Sequence, residues 1–431
     1  FENYTPDGNY GNLPYNEVNS ILHTKDGLMW IGMLGGGICK VQSPQVKYEV
    51  DRLDYIKKKY KTNSVRSICQ VGKNELWMGI MGRGLVKYNQ QSQTGVNYVD
   101  VPELNHLPYP STVNSIIKRR NKNEICFGTW CAGVFFYDED KHKVTMLNQL
   151  VNEKLGDNCV YVLLEDSDNN LWIGTRNGLY IFDTTNELYT LSEWLHCSEV
   201  PPLSSVYDIK EDEMHNLWLA LGEEGVMRID LNQKSYKKYT ISGKHSSYVT
   251  SCILIDSQQR IWVGTMWSGL VYYQAASDSF ITFSAISNIE NTSISNIIED
   301  ENEYIWITSN NIVLAFSVDD SFRIQKVNYY ATYDDVSGSL FNRNASCVLP
   351  EGKIAFGSLQ GLYIFETQQM YDDDMSSFPL LFTDFKIHNR SLRDFTKEER
   401  EKFSKYEINY ADRITIPYNQ NNFTIEFSFM N

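Results

Sequence analysis

Short stretches of alternating apolar and polar residues recur along the whole chain, and each is followed by a compact apolar run with an aromatic near its centre. The alternating stretch is seen as Val18-Asn19-Ser20-Ile21, Val65-Arg66-Ser67-Ile68, Val113-Asn114-Ser115-Ile116 and Val160-Tyr161-Val162-Leu163, and again at residues 206, 249 and 294. Period-two alternation bounded by polar clusters predicts a β-strand, here strand A of a repeating unit. Polar turns such as Asp166-Ser167-Asp168-Asn169-Asn170 and Asp256-Ser257-Gln258-Gln259 supply hairpin chemistry. The apolar run is strand B: Leu171-Trp172-Ile173-Gly174, repeated with Trp30, Trp77, Trp218, Trp262 and Trp306, and in worn form at Cys126 and Ala355. These eight positions lie 44 to 49 residues apart. Strand C follows a short gap (Gly178-Leu179-Tyr180-Ile181-Phe182), and a weaker strand D closes the unit (Tyr236 to Tyr239, Ser279 to Phe283).

Four antiparallel strands per unit of about 45 residues is the arithmetic of a β-propeller blade. The expected fold is therefore all-β, a propeller of four-stranded blades over residues 1–370, with eight repeats counted and seven blades as the alternative. The Trp is expected to fill the gap between neighbouring sheets, and the Gly after it to allow close approach. Phe1-Glu2-Asn3-Tyr4 reads as a strand D without its own A to C, suited to pair with the last unit and hide both sheet edges. Residues 371–377 read as a linker. From Phe378 the register changes, and strands at 378–387, 413–417 and 422–429 predict the start of a truncated β-sandwich over 378–431.

Composition changes this picture little. A net charge of −15 argues against nucleic acid as a partner, because that affinity comes from neutralising phosphates. No apolar run approaches the roughly 18 residues of a membrane span, and the missing initial Met suggests a mature or excised piece. The eight Cys show no Cys-x-x-Cys or zinc spacing and read mostly as small buried hydrophobes.

The repeats, in the form Asp168-x-x-Leu171-Trp172-Ile173-Gly174-Thr175-x-x-Gly178-Leu179, resemble the two-component-regulator propeller repeats. The tail from Phe378 to Met430 resembles the opening of the immunoglobulin-like domain that follows such propellers. The resemblance implies the periplasmic sensor portion of a hybrid two-component system. Such a receptor is anchored in the inner membrane, binds oligosaccharides outside and drives a histidine kinase that controls glycan-utilisation genes. It also implies a further propeller or sandwich domain in the same parent chain. A dimer would suit kinase activation.

In a propeller the B–C and D–A connections open on one face. The B–C tips carry Arg83, Trp130, Arg176, Glu223 and Trp267, which form the candidate ligand-binding set: flat rings for sugar faces, forked donors for hydroxyls or carboxylates. The plainer alternative is that they pack under adjoining loops. The D–A run Tyr55 to Lys61 is expected as a solvated loop on the same face, and Lys118-Arg119-Arg120 as solvated on the opposite one. No catalytic constellation, metal site or cofactor motif stands out. Asp166-Asp168-Asn170 has the spacing of a calcium loop but lacks its later Glu and coincides with an ordinary turn. A glycan hydrolase or lyase and a protein-binding scaffold are the alternatives to a sensor.

Overall fold

The computed structural model describes residues 18–23, 28–33, 37–42, 48–51, 53–97, 112–151, 155–241, 249–286, 289–309, 312–330, 340–367, 380–388, 390–391, 394–400, 403, 415–416 and 422–429. Two compact units emerge, one of residues 47–370 and one joining 1–46 with 371–431.

The larger unit contains seven four-stranded antiparallel sheets, each in the order A-B-C-D. We number them blades 1 to 7, with inner strands beginning at Val65, Val113, Val160, Asp208, Thr250, Ile294 and Phe341. Each inner strand touches the next, and that of blade 7 touches that of blade 1, so the sheets form a closed ring. The ring has seven blades rather than eight. Its seal also differs from expectation: Tyr48–Asp51 supplies the outer strand of blade 7, pairing with Gly361–Glu366. That edge is thereby occupied, while Phe1 to Tyr4 lie outside the described residues. The first repeat forms a separate three-stranded sheet (Val18–His23, Leu28–Met33, Gly37–Gln42) in the smaller unit. Its Trp30 is 38% exposed, unlike the equivalent repeat tryptophans of the ring. The smaller unit also holds an antiparallel sheet of Leu380–Ile387, Arg390–Ser391 and Phe423–Phe429. The linker 371–377 lies outside the described residues.

The repeated tryptophans do what their size suggests. Trp77, Trp172, Trp218, Trp262 and Trp306 are 0–2% exposed. Trp172 of blade 3 packs on Ile209, Leu217 and Leu219 of blade 4, and Trp262 of blade 5 on Ile297, Ile305 and Ile307 of blade 6. Burying an indole requires a partner for its N–H. In four blades this is an Asp six residues earlier, in the A–B turn: Asp166, Asp212, Asp256 and Asp300 accept from Trp172, Trp218, Trp262 and Trp306 at 2.7–2.9 Å. The other oxygen of Asp166 accepts the Asn170 amide at 2.8 Å, so this carboxylate is consumed by its own turn, which explains the calcium-like spacing. Where a glycine follows the Trp (Gly79, Gly174, Gly264) it sits against the next blade; a Cβ on Gly79 would come within 2.1 Å of the Val113 carbonyl.

Hydrogen bonds made by the inner strands, or by the residue leading into one, bridge all seven seams. Ser67 Oγ donates to the Val113 carbonyl, Asn114 Nδ2 to Val160, and Val206 N to Thr175, at 2.8–3.0 Å. Ile253 N donates to Asp208 Oδ2 and Ser251 Oγ to the Ile294 carbonyl, both at 2.8 Å. Asn296 Nδ2 reaches the Asn342 carbonyl at 3.0 Å, and Asn342 Nδ2 closes the circle on Val65 at 2.6 Å.

Two charged segments depart from expectation. Residues 54–60 form a helix rather than a loop, because Ile56 is fully buried and pins it, while Lys57, Lys58 and Lys59 lie exposed in its last turn, where cations suit the helix dipole. Arg119 is not solvated. It is 6% exposed, and its Nε donates to Glu165 of blade 3 at 2.6 Å.

Candidate ligand site at the mouth of the ring

Inner strands carry a recurrent irregularity. In blades 1, 3, 5 and 6 the A–B register slips between Val65 and Ser67, Val160 and Val162, Thr250 and Cys252, and Ile294 and Asn296. The same slip occurs in blade 2 around Asn114. A bulge leaves one residue unpaired and re-aims it. Here those residues are Arg66, Asn114, Tyr161, Ser251 and Ser295, at the end of the inner strand next to the D–A connection. Blade 4 offers Tyr207 just before its strand. Blade 7 has a longer interruption, from Phe341 to Ser346, which carries Asn342, Arg343 and Asn344.

These residues meet across the axis. Asn344 Nδ2 donates to the Tyr207 carbonyl at 2.9 Å, linking blade 7 to blade 4, which are not neighbours in the ring. The Arg343 guanidinium lies 4.1 Å from the Tyr207 ring centroid, and its Nη2 is 3.8 Å from Met266 Sδ of blade 5. Tyr207 packs against Tyr161 at 5.1 Å between centroids, and Tyr161 against Trp130 at 5.6 Å. A continuous line of Trp130, Tyr161, Tyr207 and Arg343 thus runs from the rim to the axis, contributed by blades 2, 3, 4 and 7. Arg66 Nη1 donates to Asn342 Oδ1 at 3.0 Å beside it. Burial, then the Arg343 charge, pulls the Arg66 pKa below its ordinary value. Burial raises that of Tyr161, with Tyr207 and Cys159 adding and Arg176 and Arg343 opposing. The phenol therefore stays protonated, a hydrogen-bond donor rather than a ready base.

The five rim residues read from the sequence fare differently. Trp130, 42% exposed, begins the aromatic line. Arg176 is anchored to the buried Asp157 at 3.2 Å on the same side, within electrostatic reach of Tyr161. Trp267 is 61% exposed at the tip beside Met266. Glu223 is exposed on a 3₁₀ turn (Gly222–Glu224), where its neighbour Glu224 holds Lys238 and the Ser204 amide. Arg83 is partly buried, and its carbonyl accepts from Asn97 Nδ2 at 2.8 Å. The described contacts join Trp130 and Arg176 to the mouth, and do not place Arg83 or Glu223 in it. Two thiols also meet on this rim, Cys131 and Cys159, with sulfurs 3.5 Å apart.

Sequence reasoning passed over Arg66, Tyr161, Tyr207 and Arg343. For the first three a signal existed: in the runs that begin at residues 18, 65, 113, 160 and 206 the first position is Val and the fourth Ile or Leu, while the second varies among Asn, Arg and Tyr. Arg343 had none, because the longer bulge breaks the pattern around it.

The two component regulator propeller family matches residues 12–35, 154–177 and 243–267, each covering a strand A, its turn and the Trp-bearing strand B. Three repeats of the chain are thus similar to two component regulator propeller repeats, and two of them lie in blades 3 and 5 of the seven-bladed ring. Over its full length it is 24% identical to a histidine kinase, P4, of Formosa agariphila, of which it covers 28%. It shares its fold with the extracellular domains of two hybrid two-component systems of B. thetaiotaomicron. One is 20% identical with a TM-score of 0.59, covering 96% of this chain and 52% of that one. The other is 19% identical with a TM-score of 0.57, covering 98% and 55%. The chain thus spans about half the length of these structures and less of the kinase. Virginiamycin B lyase of Staphylococcus aureus matches 74% of the chain at 12% identity with a TM-score of 0.57, which is likeness of fold alone.

Proposed function

We propose that this chain is part of the extracytoplasmic sensing region of a hybrid two-component receptor anchored in the inner membrane. In this reading the mouth of the ring binds an oligosaccharide, and binding is relayed to a histidine kinase that controls glycan-utilisation genes. The observation that carries the ligand assignment is the line Trp130, Tyr161, Tyr207 and Arg343, which presents ring faces and donors along one path from rim to axis. Aromatic faces suit the apolar faces of sugar rings, and guanidinium forks suit hydroxyls and acids. Binding without turnover is favoured by the chemistry of the bulge positions. They carry Arg, Asn, Tyr and Ser, with no carboxylate pair of the kind glycoside hydrolysis uses.

The test is isothermal titration of the protein with an oligosaccharide panel, with chromatography of the same samples. Binding with the sugar recovered intact, weakened at least tenfold by Tyr207→Ala and Tyr161→Ala, supports the reading. Shortened or unsaturated product makes the protein an enzyme and overturns it, as does a panel that nowhere binds.

A further inference from the structure

We infer that Arg343 and Arg66 form a seat for an anionic substituent, a carboxylate or a sulfate, on the ligand that enters the mouth of the ring. This inference rests on the oligosaccharide reading and narrows it to acidic glycans.

Three other arginines of the ring, Arg119, Arg176 and Arg260, each have the carboxylate that these two lack. Arg119 meets Glu165 at 2.6 Å, Arg176 meets Asp157 at 3.2 Å and Arg260 meets Asp256 at 2.6 Å. Among the described residues no carboxylate lies within 4.0 Å of Arg66 or Arg343. Their contacts are neutral: the Asn342 amide oxygen for Arg66, and the Tyr207 ring and Met266 sulfur for Arg343. A guanidinium carries five N–H donors, so most donors of the pair have no partner among the described residues. Asp208, next to Tyr207 in sequence, is already committed: it accepts the Ile253 and Ile209 amides at 2.8 and 2.9 Å, with Lys210 Nζ 3.5 Å away.

Two half-buried like charges brought together by a bulge are costly unless an anion joins them. The Arg66 hydrogen bond to Asn342, the residue before Arg343, ties Arg66 to the blade 7 bulge, and the Arg343 charge is near enough to be felt by Arg66. In a chain of net charge −15 long-range attraction of an acid is absent, so a cationic pair at the axis acts by local contact. Planar forks match carboxylate and sulfate oxygens, while Tyr207 and Tyr161 leave ring faces beside the seat for the attached sugar.

The experiment titrates the protein with three probes of equal length: a uronate oligosaccharide, an O-sulfated neutral oligosaccharide and the unsubstituted one. Wild type is compared with Arg343→Met, Arg343→Lys and Arg66→Met, with circular dichroism confirming the fold of each. The expected result is binding of an acidic probe, weakened about 10- to 100-fold in Arg343→Met and partly kept in Arg343→Lys, with affinity falling as NaCl rises. Which acidic probe binds distinguishes carboxylate from sulfate. Binding of the neutral probe as tightly as the acidic ones, unchanged in both Met variants, overturns the seat and leaves the sensing reading standing. Failure of all three probes overturns both. Should Arg343→Met not fold, the Arg66→Met and Arg343→Lys titrations decide by the same criteria.

Discussion

Blade 5 carries two tryptophans five residues apart, and the structure predicts opposite consequences for removing them. Trp262 is fully buried between blades 5 and 6, in edge contact with Phe283 and Phe316 at 5.2 and 5.8 Å, and its N–H is held by Asp256. Trp267 sits at the hairpin tip, 61% exposed. A buried indole hides roughly 150–250 Å², worth about 4–6 kcal/mol at about 25 cal/mol per Å² as an upper figure. Measured truncations in packed sites cost about 3–5 kcal/mol. Trp262→Ala should therefore lose about 3–5 kcal/mol. Trp262→Phe keeps the ring, loses the N–H to a carboxylate and should lose about 1.5–3 kcal/mol. Trp267→Ala should stay within about 0.5 kcal/mol of wild type, as exposed sites do. Urea unfolding followed by far-ultraviolet circular dichroism measures all three. Equal losses for Trp262→Ala and Trp267→Ala would refute the view that the repeated indole wedges blades together.

Other consequences follow from named contacts. Removing either partner of the buried Arg119–Glu165 pair between blades 2 and 3, as in Glu165→Gln, should cost about 3–5 kcal/mol. The double variant Arg119→Met with Glu165→Met should recover much of this, and a double-mutant cycle in urea checks it. The Asp278 carboxyl is held well below the usual carboxylate range by Lys237 first, then by the Tyr273 and Tyr239 hydroxyls at 2.7 and 2.9 Å. A depressed folded-state pKa stabilises above the unfolded value near 4 and loses that contribution as pH falls through the folded one. Asp278→Asn should thus cost stability at pH 7, by at most about 1 kcal/mol because the site is partly exposed, and the gap to wild type should narrow by pH 3. Thiol reactivity should follow burial: at pH 8 a disulfide reagent should modify exposed Cys131 in the native protein. Buried Cys126 and Cys252, the latter pushed up to about 12 by burial, should react only after unfolding. Mass spectrometry of labelled peptides reads the order.

Repeat length, strand order and the place of the wedge were legible in the chain, because a blade is a local object. Alternation sets which side of a strand is buried, and a position recurring every 44 to 49 residues, Trp in six of eight copies, marks the seam. Even the Asp166 to Trp172 clasp is written as a spacing of six residues, although the calcium-like pattern drew attention to a different chemistry. Closure was not legible. Whether Phe1 to Tyr4 or Tyr48–Asp51 completes the last blade depends on how many sheets fill the circle, and sequence similarity makes the first repeat look like the rest. Nor could the solvated reading of Arg119 survive once Glu165, 46 residues away, was folded beside it. The mouth is the clearest case. Trp130 and Arg176 were found as hairpin-tip residues, but Tyr161, Arg66 and Arg343, turned by bulges, and Tyr207, at the start of the blade 4 strand, come from four blades and converge only once the ring is closed. Local periodicity determines the blade; the ring, which brings Asn342 and Val65 into contact across 277 positions, determines the site.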